Sequence, residues 1–95
     1  MNTIFDITVV KPKGGGKTMR KIVDLPFTPF VGMRIEDHAW NDPKEVKYVC
    51  LSISEDGQHH LYVPLGLHKA KDSDQMEQLV EMYGAHGWKA LPCDD

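Results

Sequence analysis

The sequence predicts an α+β domain, an antiparallel sheet of about five strands packed against one C-terminal helix. Three observations carry that expectation. Apolar and polar residues alternate in several short runs before residue 65, the period-two pattern of half-buried strands. One stripe of helical period follows, formed by Met76, Leu79, Val80 and Tyr83. Strands gathered first and a helix late favour a helix laid on one face of a sheet, with a small, partly open barrel capped by the helix as the alternative closure.

Phe5, Ile7 and Val9 alternate with Asp6, Thr8 and Val10 and mark the first strand. Met19, Val23 and Leu25 alternate with Arg20, Ile22 and Asp24 and mark the second. The Gly/Lys-rich stretch near 11–18 then becomes a hairpin loop longer than the favoured length of about two to five residues. Gly14, Gly15 and Gly16 resist ordering, so its tip is expected to be mobile. Pro26-Phe27-Thr28-Pro29-Phe30 cannot continue as a central strand, because proline offers no N–H. It is expected to bend the chain, with Phe27 and Phe30 as anchors. Val31, Met33 and Ile35 alternate again and suggest a third strand, and 37–43 reads as a polar loop carrying Trp40.

Residues 46–65 form the clearest hairpin. A two-residue turn at Asp56-Gly57 would pair 55 with 58 and spread apolar side chains over both faces. A three-residue loop, Glu55-Asp56-Gly57 with Gly57 left-handed, pairs 54 with 58 and sets Leu51 opposite Leu61 and Val49 opposite Val63. Register follows the face that is buried, so the second arrangement is expected. The helix begins with Asp72, Ser73 or Asp74 as cap, and Asp74-x-x-Glu77 fits an acidic capping box. Gly87 stands at the C′ position, with Trp88 placed to touch Tyr83 as a Schellman motif prefers. Lys89-Ala90-Leu91 adds a short edge strand, and the tail 92–95 is expected to fray. All of 1–95 is read as one domain, since a chain of this length has no room for a second core.

The formal net charge is −3, unevenly spread. Residues 1–35 carry six Lys/Arg against two acids, and residues 36–95 carry five against twelve. An acidic whole argues against general nucleic-acid binding but leaves room for a local basic patch. Cys50 and Cys93 are too few for a disulfide framework and match no zinc-ligand spacing. The N-terminal residues lack a basic region followed by a long apolar run, and no stretch approaches the roughly eighteen apolar residues of a membrane span. The expectation is a cytoplasmic protein with free thiols and no cofactor.

Lys11, Lys13, Lys17, Arg20 and Lys21 cluster around three glycines with no acid among them. Gly16-Lys17-Thr18 imitates the end of a phosphate-binding loop, but position 11 is lysine where that motif needs glycine, and a strand follows where it needs a helix. As an electrostatic surface the segment suits a phosphate backbone or an acidic protein. No aromatic is interleaved to stack bases. His59 and His60 are adjacent on a strand and point to opposite faces, so they cannot share a metal. Cys50 has His60 one diagonal step away on the same face, the outline of a reactive thiol without an orienting group. Pro26-x-x-Pro29 matches a polyproline ligand only formally. Trp40 is either an aromatic anchor for a protein partner or a plug at one end of the core. Asp74, Glu77 and Glu81 offer an acidic helix face.

Together these features predict a non-enzymatic interaction module, an accessory or regulatory protein using Trp40, Asp74, Glu77 and Glu81 on a protein partner. Phosphate or nucleic-acid contact through 11–21 is the alternative, and a small enzyme using Cys50 and His60 the weaker one. A homodimer through an exposed edge strand is compatible with so short a set of strands.

Overall fold

Alternation along residues 2–10 decides the centre of the molecule. In β1 (Asn2–Val10) the odd residues Thr3, Phe5, Ile7 and Val9 are all buried on one face. A computed structural model of the protein describes residues 2–92 and orders the remaining elements around this strand. They are β2 (Gly16–Asp24), β3 (Arg34–Ile35), β4 (Lys44–Glu45), β5 (Cys50–Ile53), β6 (His59–Lys69), α1 (Ser73–Ala85) and β7 (Lys89–Ala90). The main sheet has the order β5-β6-β1-β2-β7, and β3 and β4 form a separate two-stranded ladder. Among the described residues the fold is α+β, with a five-stranded main sheet that does not close into a barrel and one C-terminal helix.

The sheet is mixed and not wholly antiparallel. β1 pairs antiparallel with β2 but parallel with β6, in a register running from Thr3↔Leu61 to Val10↔Lys69. Since β7 is antiparallel to β2, it runs with β6, and β6–α1–β7 is a crossover that skips β1 and β2. That path lays the helix over the odd face of β1. The helical stripe Met76, Leu79 and Val80 packs there against Ile7, Val9, Met19 and Val63, with Tyr83 fully buried.

The β5–β6 hairpin adopts the expected bulged register, although every residue of β5, Leu51 and Ile53 included, stays exposed. Leu51 opposes Leu61, Ser54 N–H donates to Gln58 O at 2.8 Å, and Gly57 has φ +83°. The lysine-glycine loop is shorter than expected because β1 and β2 extend to pair Val10 with Gly16. Only residues 11–15 connect them, closed by Gly14 N–H on Lys11 O at 3.2 Å.

At the helix start Asp72 is the cap and accepts from Gln75 N–H at 2.8 Å, while the Gln75 side chain accepts from Lys71 N–H. The cap is therefore Asp72, two residues before the expected Asp74, and because Gln75 accepts from Lys71 N–H and not from Asp72 N–H, the reciprocal box expected of Asp74 and Glu77 does not form. The helix ends as expected. Gly87 at φ +90° lets Trp88 N–H reach Tyr83 O at 3.0 Å and Gly87 N–H reach Gly84 O at 3.3 Å, the two bonds of a Schellman motif.

Three expectations are corrected. The third strand over 31–36 shrinks to Arg34–Ile35 and leaves the main sheet, since Gly32 turns the chain at φ +95° and Val46 bonds back to Met33 and Gly32. Phe27 and Phe30 do not anchor the bend; both are more than half exposed, and Pro29 is the residue buried. The sixth strand runs on to Lys69 through Pro64 and Gly66, which opposes the parallel partner β1 as a bulge. The expected frayed tail falls, from residue 93 on, outside the described residues, as does Cys93.

The bulge has a structural consequence. Two steps on β1, from Asp6 to Thr8, match three on β6, from Pro64 to Leu67, with Gly66 at φ +88°. Facing parity reverses across it. Leu61 and Val63 face the helix before the bulge, and His68 and Ala70 face it afterwards, while Leu67 is turned out and exposed.

Candidate functional site: an apolar groove floored by two tryptophans

A groove of about 460 Å³ opens between β2 and the β3–β4 ladder. Its apolar wall comes from alternate residues of one strand and its continuation, Val23 and Leu25, and from Met33 and Ile35 on the ladder side. Trp40 and Trp88 form its floor, with ring centroids 5.7 Å apart. Phe27 stands at the mouth, and the exposed Phe30 and Val31 follow on the same arm. The volume and the apolar lining are those of a ligand-accepting cleft.

Both indoles are held from behind. The Trp88 Nε1–H donates to Asp37 Oδ1 at 3.3 Å. The same carboxylate takes Ala39 N–H at 2.9 Å and, through Oδ2, Lys21 Nζ at 2.7 Å. Burial pushes the Asp37 carboxyl up, but these three donors outweigh it and hold it below 3.8. Lys21 also donates to His86 O at 2.9 Å and lies 5.8 Å from the Trp88 ring centroid. It therefore supplies, from β2, the cation that the last turn of α1 lacks.

Trp40 is fixed by a second chain. Its Nε1–H donates to Tyr83 Oη at 3.0 Å, and Tyr83 Oη lies 2.7 Å from His68 Nδ1. The hydroxyl accepts from Trp40 and has both a proton and a second lone pair left, so its bond to His68 Nδ1 runs in the direction that the imidazole tautomer sets. Burial and the positive charge of Lys44 push His68 below 6.5 and so favour the neutral imidazole. Burial pushes the Tyr83 phenol up. Lys44 Nζ sits 5.3 Å from the Trp40 ring centroid. Each indole thus already has one cation from this chain over its ring, and the groove lining is mainly apolar.

The five basic residues of 11–21 are divided. Arg20 turns to the open face of the sheet and clamps Asp6 with two bonds of 2.8 Å, from Nε and Nη2. Lys21 turns to the helix face and joins the groove. Alternation along β2 forces that split. Lys11 and Lys13 remain in the loop, and Lys17 begins β2. Trp40 is half-buried, so it closes one end of the core and presents part of its ring to the groove. Asp74, Glu77 and Glu81 are exposed along α1, away from the groove.

Cys50 is an exposed free cysteine on β5, opposite Tyr62, and the residue opposite His60 is Ser52. No hydrogen bond joins Cys50 to His60, and among the described residues no three His, Cys, Asp or Glu side chains gather to hold a metal. No helix of the described residues is long and apolar enough to cross a membrane.

Sequence reading missed Val23, Leu25, Met33, Ile35 and Trp88 as groove residues. Alternation marks the first two as apolar on one face, but nothing local says that this face is left without a covering strand. No protein-family model, curated protein or solved structure matches the chain.

Proposed function

We propose that this protein is a non-enzymatic binding module, an accessory or regulatory protein that holds an apolar segment of a partner protein in the Trp40–Trp88 groove. One observation carries the reading: Phe27 lines the groove while half exposed, and Phe30 and Val31, close to it in the chain, are exposed as well. Large apolar side chains exposed together beside an apolar groove suit a surface that a partner covers. A ligand filling both hollow and arm is larger than a small molecule. The cations already lodged on both indoles argue against a cationic guest and for aliphatic or aromatic side chains. Arg34 and Glu36 at the rim suit a partner with both charge signs around its apolar centre.

Selection of random peptides displayed on phage tests this reading, with Phe27→Asp as the counter-screen. Phe27 is 52% exposed, so the aspartate leaves the core intact and charges the mouth of the groove. Enriched peptides should carry two or more apolar residues, perturb the indole signals of Trp40 and Trp88, and lose binding to the variant. Peptides that bind wild type and variant alike, or none enriched at all, would remove the groove as the binding site.

A further inference from the structure

The structure brings together four lysines that the sequence keeps far apart. β1 and β6 are parallel, so both strands end at the same edge of the molecule, with Val10 beside Lys69 and Ala70 N–H donating to Val10 O at 2.7 Å. The loop that leaves β1 carries Lys11 and Lys13, and the segment that leaves β6 carries Lys69 and Lys71. An antiparallel pairing would have placed these pairs at opposite ends of the sheet.

Two hollows flank the Lys11-Pro12 corner. One, of about 440 Å³, is lined by Lys11, Lys13 and Lys71 together with Asp72 and Ser73. The other, of about 310 Å³, is lined by Lys11 and Lys69 with Val10 and Ala70. The Lys11 Nζ reaches Ser73 Oγ at 3.4 Å, which ties the loop to the helix start.

None of these four lysines forms an ion pair among the described residues, whereas Arg20, Lys21 and Lys47 each have a carboxylate within 3 Å. The helix terminus itself adds little, because the Asp72 carboxylate already occupies it as cap. Attraction for an anion here rests on the ammonium groups alone. No aromatic residue lines either hollow, so a base has nothing to stack on.

We infer that this corner is a binding site for linked phosphate groups, with Lys11 shared between the two hollows, Lys13 and Lys71 on one side and Lys69 on the other. The linked phosphates belong either to a free oligophosphate or to a nucleic-acid strand read without regard to sequence. The site is separate from the groove and extends the module's function beyond it.

Amide and lysine-side-chain shifts are followed by NMR during titration with tripolyphosphate and, separately, with an oligothymidylate. Shifts should concentrate on residues 11–15 and 69–73. With four contacts to a single strand, oligothymidylate affinity should fall about 50-fold between about 50 and 200 mM salt. The double variant Lys13→Gln/Lys71→Gln should reduce that dependence to about 7-fold and weaken both ligands. Lys47→Gln removes the same kind of charge elsewhere and should leave binding unchanged.

Tighter binding of tripolyphosphate assigns the site to a free oligophosphate, and tighter binding of the oligonucleotide to a strand. Absence of shifts at 11–15 and 69–73 with both ligands at low salt overturns the inference. So does equal weakening by Lys47→Gln. Phe27→Asp, which charges the groove, should not affect this titration, so the two readings fail separately.

Discussion

Tyr83→Phe removes one oxygen from the centre of the molecule and nothing else. The ring is fully buried between α1 and the sheet, so phenylalanine fills the same space and leaves no cavity. What disappears is the acceptor of Trp40 Nε1–H at 3.0 Å and the hydrogen-bond partner of His68 Nδ1 at 2.7 Å. Each such bond contributes about 0.5–1.5 kcal/mol net, and leaving its partner unsatisfied raises the loss. Trp40 and His68 each keep part of their surface in water, which limits that increase. The two effects set the expected loss at about 2 kcal/mol, or a fall in Tm of roughly 8–16 °C for a domain of this size.

Urea unfolding followed by tryptophan fluorescence measures it, with an unchanged m-value showing that the denatured state is the same. A double-mutant cycle with His68→Leu should show a coupling of about 0.5–1.5 kcal/mol. A loss under about 0.5 kcal/mol, or strict additivity in the cycle, would refute the three-residue chain as the device that holds Trp40.

Four further outcomes follow from the same geometry. His68 is held below 6.5, so between its native value and 6.5 the unfolded chain binds more protons than the folded one. Its contribution is therefore complete above about pH 6.5 and is lost as pH falls through the native value; the stability difference between wild type and His68→Gln should shrink on acidification, and a flat difference between about pH 8 and pH 5 would contradict this. The Asp37 carboxyl should titrate below 3.8 by NMR, and Lys21→Met should raise its midpoint by removing the Nζ donor. Gly66→Ala should cost about 1–2 kcal/mol in urea unfolding from its φ of +88° alone, because an added Cβ meets nothing within 4 Å; Gly66→Asn should cost less. Arg20→Met leaves the Asp6 carboxylate, 7% exposed, without its cation, and an expected loss of about 2–3 kcal/mol, below that of a wholly buried pair because Arg20 is itself 33% exposed, is read the same way.

Much of the local structure was legible in the residues. The β5–β6 register followed from requiring one apolar face, because Leu51 and Leu61 meet only if the turn holds three residues. The helix and its Schellman end followed from the stripe through Tyr83 and from Gly87 and Trp88. Each of these is a contact between neighbours along the chain, where spacing alone dictates which side chains meet.

The candidate sites were not legible in that way. Alternation identifies which residues of a strand share a face but carries no information on strand direction, so the parallel pairing of β1 with β6 left no local trace. That pairing gathers Lys11, Lys13, Lys69 and Lys71 at one corner, while Asp6, opposite Arg20 in the β1–β2 ladder, and Asp37, in the loop after β3, take Arg20 and Lys21 out of the basic set. The bulge at Gly66 likewise reads as a lone glycine in a strand, yet it turns His68 inward to Tyr83 and thereby positions Trp40.

The sequence by itself determined the strand and helix periods, the hairpin register and the helix end, since apolar patterning and turn chemistry within a short segment decide them. Only the tertiary structure decided the strand direction, the groove and the lysine corner, because these depend on contacts between residues about 60 positions apart, such as Val10 with Lys69 and Lys11 with Ser73.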